Sequence, residues 1–378
     1  MRIGIDARAA MRTTDGIGRY AIELLKAFAG MEVDHQYVIL KNDETPLSFA
    51  FDSRFRELVV PLARFGIREQ WTLPGILDGL HLDLFHSLHA ALPLRYPGVK
   101  VMTVHDIFPM LLPWSFGRNG VKNAFAAMYY AALLRMSLRR AALTIVDSEH
   151  TAGDLRDHLG CDPGRLRRVY LGIDHIQGSS GNGGGEALSR YGLAKPYLIT
   201  VTNFKPHKNT ARVLEAFRIV RKKFPGLSLA VIGNDPRDFA SSLGRPDQLE
   251  AENVRILGYV SDDALRELLS NAEVFVFPSL YEGFGFPVLE AMAAGTPVVT
   301  SAVASLPEVG ADAVMYVDPN DAGRVAEAVL KVCGDWRIQS DLRARGRTQA
   351  GKFRWRDAAA QTLGVYEEAV QLSRTVLR

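Results

Sequence analysis

Short runs of β-branched and other apolar residues alternate with stretches of helical periodicity along almost the whole chain. The first half predicts strands at "IGIDA" (3–7), "YVILK" (37–41), "LVVPL" (58–62), "LDLFHSL" (82–88), "VMTVHDI" (101–107) and "LTIVDS" (143–148). Several are nearly continuous apolar runs, the pattern of parallel strands covered on both faces. After Asp15-Gly16, residues Ile17, Tyr20, Ala21, Leu24, Leu25 and Phe28 fall on one face of a helix. The pattern breaks at 174–195, where "DHIQGSSGNGGGEALSRYGLAKP" is rich in Gly and Ser and reads as a flexible connection. It restarts with "YLITVTN" (197–203), "LSLAVIG" (227–233), "VRILGYV" (254–260), "EVFVFPS" (273–279), "TPVVTS" (296–301) and "AVMYVDP" (313–319). Helical segments such as "NTARVLEAFRIVRKKF" and "SDDALRELLSNA" fill the gaps.

This alternation predicts two doubly wound α/β domains facing across a cleft. The expected boundaries are 1–173 for the first, 174–195 for the linker and 196–355 for the second. The segment 356–378 reads as a helix that the pattern does not place.

Composition narrows the classes. With 378 residues, 47% hydrophobic and 23% charged, the chain has ample material for globular cores. A net charge of +3 is too balanced for a protein whose main partner is nucleic acid. Cys161 and Cys333 match no metal or redox spacing. The opening "MRIGIDARAA" reads as a strand, not as a secretory signal, and no run is long enough to span a bilayer. Together these features predict a cytoplasmic protein.

The most informative stretch is "PSLYEGFGFPVLEAMAAGTPVVTS" (278–301). A strand ends, a loop carries Glu282-Gly283-Phe284-Gly285-Phe286, and Pro287 opens a helix, where its missing N–H costs nothing. Glycines let the backbone approach a ligand, and a helix N-terminus favours an anion. Glu282 and Glu290 bracket this site. Carboxylates there suit sugar hydroxyls better than phosphate; the plainer alternative is a glycine-rich turn with Glu282 solvated and Glu290 a first-turn acid.

A second motif, "TNFKPHKNT" (202–210), places Lys205 and Lys208 just before a helix that Asn209 or Thr210 would cap. Cations are disfavoured at that end of a helix, so two of them suggest an anion that offsets the repulsion. A solvated basic loop is the alternative.

The Glu-x7-Glu spacing in "EGFGFPVLEAMAAGTPVV" and the "KPHKN" run together resemble the retaining glycosyltransferases of family 4, the group 1 glycosyl transferases. "DGIGRY" (15–20) is similar to the family's glycine loop, and "VHDIFP" (104–109) to its histidine motif. The resemblance implies an α/β GT-B fold, two Rossmann-like domains with the acceptor on the first and the sugar nucleotide mainly on the second. It implies that Glu290 holds the ribose, Glu282 the sugar hydroxyls, and the amides of Phe284, Gly285 and Phe286 the sugar and diphosphate oxygens. Lys208 would neutralise the diphosphate. Many relatives carry an arginine six residues earlier, where this chain has Thr202, so Lys205 would take over the second charge. Val260, in "GYVSDDAL", would lie on the nucleobase side, and His105 would contact the sugar. His105, Lys208 and Glu282 are therefore the expected catalytic residues.

Gly16 and Gly18 fit G-x-G-x-x-A, but it takes nine residues, Arg8 to Gly16 counting both ends, to reach the first of them from the strand, so a dinucleotide fingerprint is disfavoured. They read as a loop offering amides to the donor. Arg19 is either a phosphate or acceptor contact, or an exposed helix residue. His86 and His89 prompt a metal reading that His-x-x-His at a strand end supports weakly, and no Asp-x-Asp occurs. No metal and no cofactor beyond the nucleotide-sugar co-substrate is expected.

Between Ile107 and Val146 there are five basic residues, Arg118, Lys122, Arg135, Arg139 and Arg140, and no acidic ones. The helix within this stretch either rests on an anionic membrane surface or packs in the core with a solvated basic end. The "HD-x-x-P" and "KPHKN" forms look most like bacterial polysaccharide enzymes. They point to a metal-independent retaining transfer of a hexose, mannose from GDP-mannose, to a glycan or lipid-linked acceptor. Such an enzyme would serve polysaccharide or lipopolysaccharide synthesis as a peripheral protein of the inner membrane face. The alternatives are a nucleotide-sugar epimerase or phosphorylase on the same architecture, an NAD-dependent oxidoreductase, and a non-catalytic sugar-nucleotide binder.

Overall fold

A computed structural model describes residues 1–9, 16–42, 51–111, 120–176, 185–203, 205–233 and 246–376. Within these, the chain forms two compact units, Met1–Gly172 with Arg354–Arg378, and Ile173–Phe353.

The first unit holds strands β1 (Arg2–Asp6), β2 (Gln36–Lys41), β3 (Phe55–Val59), β4 (Leu84–Ser87), β5 (Lys100–Val104), β6 (Leu143–Val146) and β7 (Leu166–Arg168). They lie in the order β3-β2-β1-β4-β5-β6-β7, every pair parallel. Its helices are α1 (Gly16–Ala29), α2 (Ile67–Asp78), α3 (Phe108–Leu111), α4 (Gly120–Arg140) and α5 (Glu149–Leu159). The expected helix after Gly16 is α1, and Tyr20, Ala21, Leu24, Leu25 and Phe28 are its buried stripe. Two expectations shift. The strand read at 58–62 is Phe55–Val59, and β7 is unheralded because a three-residue strand with two arginines carries no apolar pattern.

The second unit holds helix α6 (Glu186–Arg190) and strands β8 (Tyr197–Val201), β9 (Ser228–Ile232), β10 (Val254–Gly258), β11 (Val274–Phe277), β12 (Val298–Ser301) and β13 (Met315–Val317). The order is β10-β9-β8-β11-β12-β13, again all parallel. Helices α7 (Thr210–Lys223), α8 (Pro246–Ala251), α9 (Asp262–Asn271), α10 (Phe286–Ala294), α11 (Leu306–Gly310), α12 (Ala322–Gly334) and α13 (Trp336–Ala350) complete it. Val213, Phe217 and Val220 of α7 and Val325, Val329 and Val332 of α12 join Leu229, Val231 and Val276 of the sheet in one buried cluster. Burying each such side chain is worth about 1.5–3 kcal/mol. Ser261 caps α9, its hydroxyl accepting from the Ala264 amide at 3.3 Å.

The interval 174–195 is only partly a bare connection. Asp174–Ile176 is a 3-10 turn, α6 occupies Glu186–Arg190, and 177–184 lie outside the described residues. The last helix, α14 (Trp355–Val376), which the sequence pattern could not place, belongs to the first unit. There Trp355 packs on Gly172, where a Cβ would come within 2.1 Å of the Trp355 amide nitrogen. Only glycine admits that approach.

Candidate functional site

In an open parallel sheet, ligands bind beyond the carboxyl ends of the strands where the strand order reverses, because neighbouring connections there leave on opposite faces. In the second sheet that point lies between β8 and β11. The loops that follow them, 202–209 and 278–285, are the two motifs singled out above.

The two loops are bonded to each other. The Leu280 amide donates to the His207 carbonyl at 2.7 Å. Asn209 donates its side-chain amide to the carbonyls of Pro278, at 3.0 Å, and Pro319, at 2.7 Å. This revises the expected cap of α7. Asn209 occupies the cap position with φ 54° but makes no side-chain cap bond, because its side chain ties the loops together. Thr210, the other cap expected, pairs its hydroxyl with that of buried Thr202 at 2.7 Å.

Lys208 and Glu282 meet across the loops. The ammonium donates to both carboxylate oxygens, at 2.8 and 3.0 Å, and lies 5.1 Å from the centre of the Phe277 ring. Ser279 donates to the same carboxylate at 2.7 Å. The anion offsetting Lys208 is thus supplied by the chain itself, and Glu282 is buried, not solvated. Lys205 is exposed at the start of the 3-10 turn 206–208. Between the two lysines, His207 is held neutral: burial, then the charges of Lys208 and Lys205, push it down to about 3.

Gly285 stands before α10 with φ 113°, a conformation that side chains rarely adopt. A Cβ there would lie 3.0 Å from Leu306 and 3.2 Å from Val309. The Ser305 hydroxyl lies 2.9 and 2.7 Å from the carbonyls of Glu282 and Phe284, the acceptors it serves, and fixes the loop from behind. Phe284 is buried against Phe353, and Phe286 opens the helix. Helix geometry leaves first-turn amides without intrahelical acceptors, which is what an anion site requires. Glu290 lies one turn further on and is buried, so it is not the first-turn acid of the plainer reading. Val260 is buried two residues after β10, which ends at the left-handed Gly258.

The first unit holds the remaining candidates. Gly16 and Gly18 lie not in a loop but in the first turn of α1, Gly16 exposed and Gly18 buried, with Arg19 part-exposed beside them; Asp15 is outside the described residues. His105 follows β5. Its Nδ1 lies 2.5 Å from Asp147 Oδ2, its Nε2 lies 3.1 Å from the Leu88 carbonyl, and Tyr20 of α1 meets its ring edge-on at 4.8 Å. His86 takes no part in a two-histidine metal pair. It bonds Tyr366 of α14 at 2.6 Å and Thr103 at 2.9 Å, and burial pushes it down to about 3.

One group escaped the sequence reading. Asp6, Glu69 and His89 converge at the carboxyl end of β1, the reversal point of the first sheet. Arg8 ion-pairs with both carboxylates and donates to Asp6 at 2.6 and 2.7 Å. Burial favours protonation of Asp6, but the bonds and charge of Arg8, then those of His89, outweigh it and hold the carboxyl well below its usual range. "DAR" at a strand end was the available signal; Glu69 comes from a helix 61 residues later in the chain.

Comparison with known proteins agrees with this architecture. A family model described as glycosyl transferases group 1 matches residues 190–349, and one described as glycosyltransferase family 4 matches 14–177. The O-antigen chain mannosyltransferase B of Escherichia coli is 30% identical, over 93% of this chain and 96% of its own. The MMP alpha-(1->4)-mannosyltransferase of Mycolicibacterium hassiacum is 41% identical over 59% of this chain and 53% of its own. Among solved structures, a sucrose-phosphate synthase from Thermosynechococcus elongatus superposes with a TM-score of 0.77 at 19% identity, covering 97% of this chain and 98% of its own. Two family models falling one on each sheet, and a relative matched nearly end to end, leave a single assignment: this chain belongs to glycosyltransferase family 4 and is a glycosyltransferase of the GT-B fold.

Proposed function

We propose that the enzyme transfers mannose from GDP-mannose, with retention at the anomeric carbon and without a metal ion, to a glycan or lipid-linked acceptor of a bacterial surface polysaccharide. The observation that carries this reading is the near end-to-end likeness to an O-antigen mannosyltransferase. The geometry of the second unit is compatible with it. Glu290 binds the ribose, Val260 lies against the base, and the amides of Phe284, Gly285 and Phe286 hold sugar and diphosphate oxygens. Lys208, helped by Lys205, stabilises the charge that develops on the departing diphosphate. Glu282, released from Lys208 by the incoming diphosphate, accepts from the hydroxyls of the transferred sugar. In the first unit Gly16, Gly18 and Arg19 serve the diphosphate or the acceptor, and His105 faces the sugar.

The protein also rests on the anionic face of a membrane. Among the described residues no helix is long and apolar enough to cross one. Yet α2 exposes Ile67 and Trp71, 71% and 65% accessible, and α4 exposes Phe125 and Met128, 63% and 61% accessible. The two helices adjoin, since Tyr129 donates its hydroxyl to the Phe65 carbonyl just before α2. Exposed Arg68, Lys122, Arg135, Arg139 and Arg140 share these helices, and α4 has no acidic residue. Apolar side chains of this size, set among basic ones, fit an anionic bilayer surface.

A thermal-shift screen with GDP-mannose, GDP, UDP-glucose, UDP and NAD, followed by transfer assays in EDTA, tests the donor. The expected result is stabilisation by GDP and GDP-mannose, lost in Glu290→Ala, and an α-linked product by NMR. Stabilisation by uridine nucleotides alone overturns the donor assignment, and stabilisation by NAD alone overturns the whole reading.

A further inference from the structure

The histidine motif carries more information than its resemblance to the family supplies. β5 and β6 are parallel neighbours with Val104 beside Val146, so the next residues, His105 and Asp147, leave the sheet side by side. On the other flank β4 pairs with β5, and the Leu88 carbonyl follows β4 directly. The ring therefore spans three strand ends, with an oxygen at each nitrogen: Asp147 Oδ2 at 2.5 Å and the Leu88 carbonyl at 3.1 Å. The His105 backbone is anchored too, its carbonyl accepting from the Thr151 hydroxyl at 3.1 Å.

A carbonyl can only accept, so Nε2 must carry a proton. An ionised carboxylate can only accept, so Nδ1 must carry one as well. The other arrangement that satisfies both oxygens, a neutral ring accepting from a protonated Asp147, is the one the spectra described below tell apart from it.

We propose that Asp147 is a positioning residue for the transfer reaction, holding His105 as a fixed imidazolium that serves as a cation and donor and never as a proton acceptor. The inference rests on the reading that His105 faces the sugar. It deepens that reading by excluding His105 as the base that deprotonates the acceptor hydroxyl.

The surrounding groups agree. Burial alone would depress His105, but the charge and bond of Asp147, the Leu88 carbonyl and the charge of Asp106 outweigh it and raise the group above its ordinary value. Facing it from β4 is His86, neutral and therefore not a competing charge; from α1 comes Tyr20, whose hydroxyl is bonded to Thr103 at 3.0 Å. Burial, then the charge of Asp147, pushes the Tyr20 phenol up, so it stays neutral across the working range. His105 keeps 13% of its side chain accessible while Asp147 keeps 2%, so the histidine can touch a ligand and the aspartate acts through it.

Long-range 1H–15N spectra of the full chain labelled at histidine test this, with His105 assigned by its absence from His105→Gln. In the wild type both His105 nitrogens should show protonated shifts at pH 7. In Asp147→Asn, where burial is no longer opposed by a carboxylate, the ring should turn neutral by pH 7. Transfer by Asp147→Asn should fall at least tenfold at pH 7 and recover on acidification, while the wild type stays flat over that range. A wild-type ring that is neutral at pH 7 overturns the proposal, whatever Asp147→Asn does. Spectra as expected, but Asp147→Asn transfer with a wild-type pH profile, would leave the charge state standing and sink His105's role at the sugar.

Discussion

Lys208 and Glu282, 74 residues apart, form an ion pair at 2.8 and 3.0 Å across the reversal point of the second sheet. Both side chains are largely buried. Each is therefore the other's partner; in the function proposed above, a diphosphate takes over the lysine and sugar hydroxyls the carboxylate.

Removing one partner should consequently have opposite effects on the two halves of the donor. Glu282→Gln leaves Lys208 without its carboxylate, so GDP should bind as tightly as to the wild type or more tightly, while turnover falls about a hundredfold, or roughly 2.7 kcal/mol of transition-state stabilisation. Lys208→Met should weaken GDP and transfer together. Calorimetric titration beside initial rates separates these. If Glu282→Gln weakened GDP as much as Lys208→Met does, the carboxylate would be acting only as a scaffold for the loop.

Gly285→Ala forces a side chain into a left-handed backbone and within 3.0 Å of Leu306. Strain of this kind costs on the order of 1–3 kcal/mol. The expected result is a lower urea midpoint and a raised donor KM, because the loop carrying Glu282 must shift. Unchanged values in both would mean that the turn adapts freely.

Acid should destabilise both units. His86 in the first and His207 in the second each fall to about 3 in the folded chain, burial being the main cause. Between that value and the unfolded value near 6.5, the unfolded chain binds more protons. Stability therefore drops as pH falls, by up to about 1.4 kcal/mol per pH unit for each group. His105 runs the other way: raised when folded, it contributes stability below 6.5 that is lost as pH rises through its folded value. Urea titrations from pH 4 to 7 should show the acid slope, reduced in His207→Gln.

Binding to vesicles of phosphatidylglycerol should be lost in Trp71→Ser/Phe125→Ser and weakened by salt, with soluble-acceptor transfer unchanged. Salt-independent binding in the wild type, or binding unaffected by the double substitution, would remove the α2–α4 face from the account.

Truncation after Phe353 should unfold the first unit although it deletes only the far end of the chain. Tyr366 of α14 bonds His86 in that unit's interior, and Trp355 packs on Gly172. A first unit that kept its cooperative transition would contradict this.

Much of this was legible in the chain. Period-two and continuous apolar runs located all but one strand, because a parallel strand buried on both faces must be apolar. The loops 202–209 and 278–285 were visible because glycine, proline and charge at a strand-to-helix junction have few other uses. Gly16 and Gly18, read as a loop, instead open helix α1. What the sequence could not give was pairing between distant residues. Nothing local joins Glu282 to Lys208, Asp147 to His105, Glu69 to Arg8 or Tyr366 to His86; each pair spans two separate elements and exists only where strand order or helix packing brings them together. Charge states followed the same rule. His86, His105 and His207 are one residue type, and only burial and the neighbouring charge separate two neutral rings from a raised one. Residue types and spacing set which chemistry was available; the strand order decided which groups meet, and so which of them carry a proton.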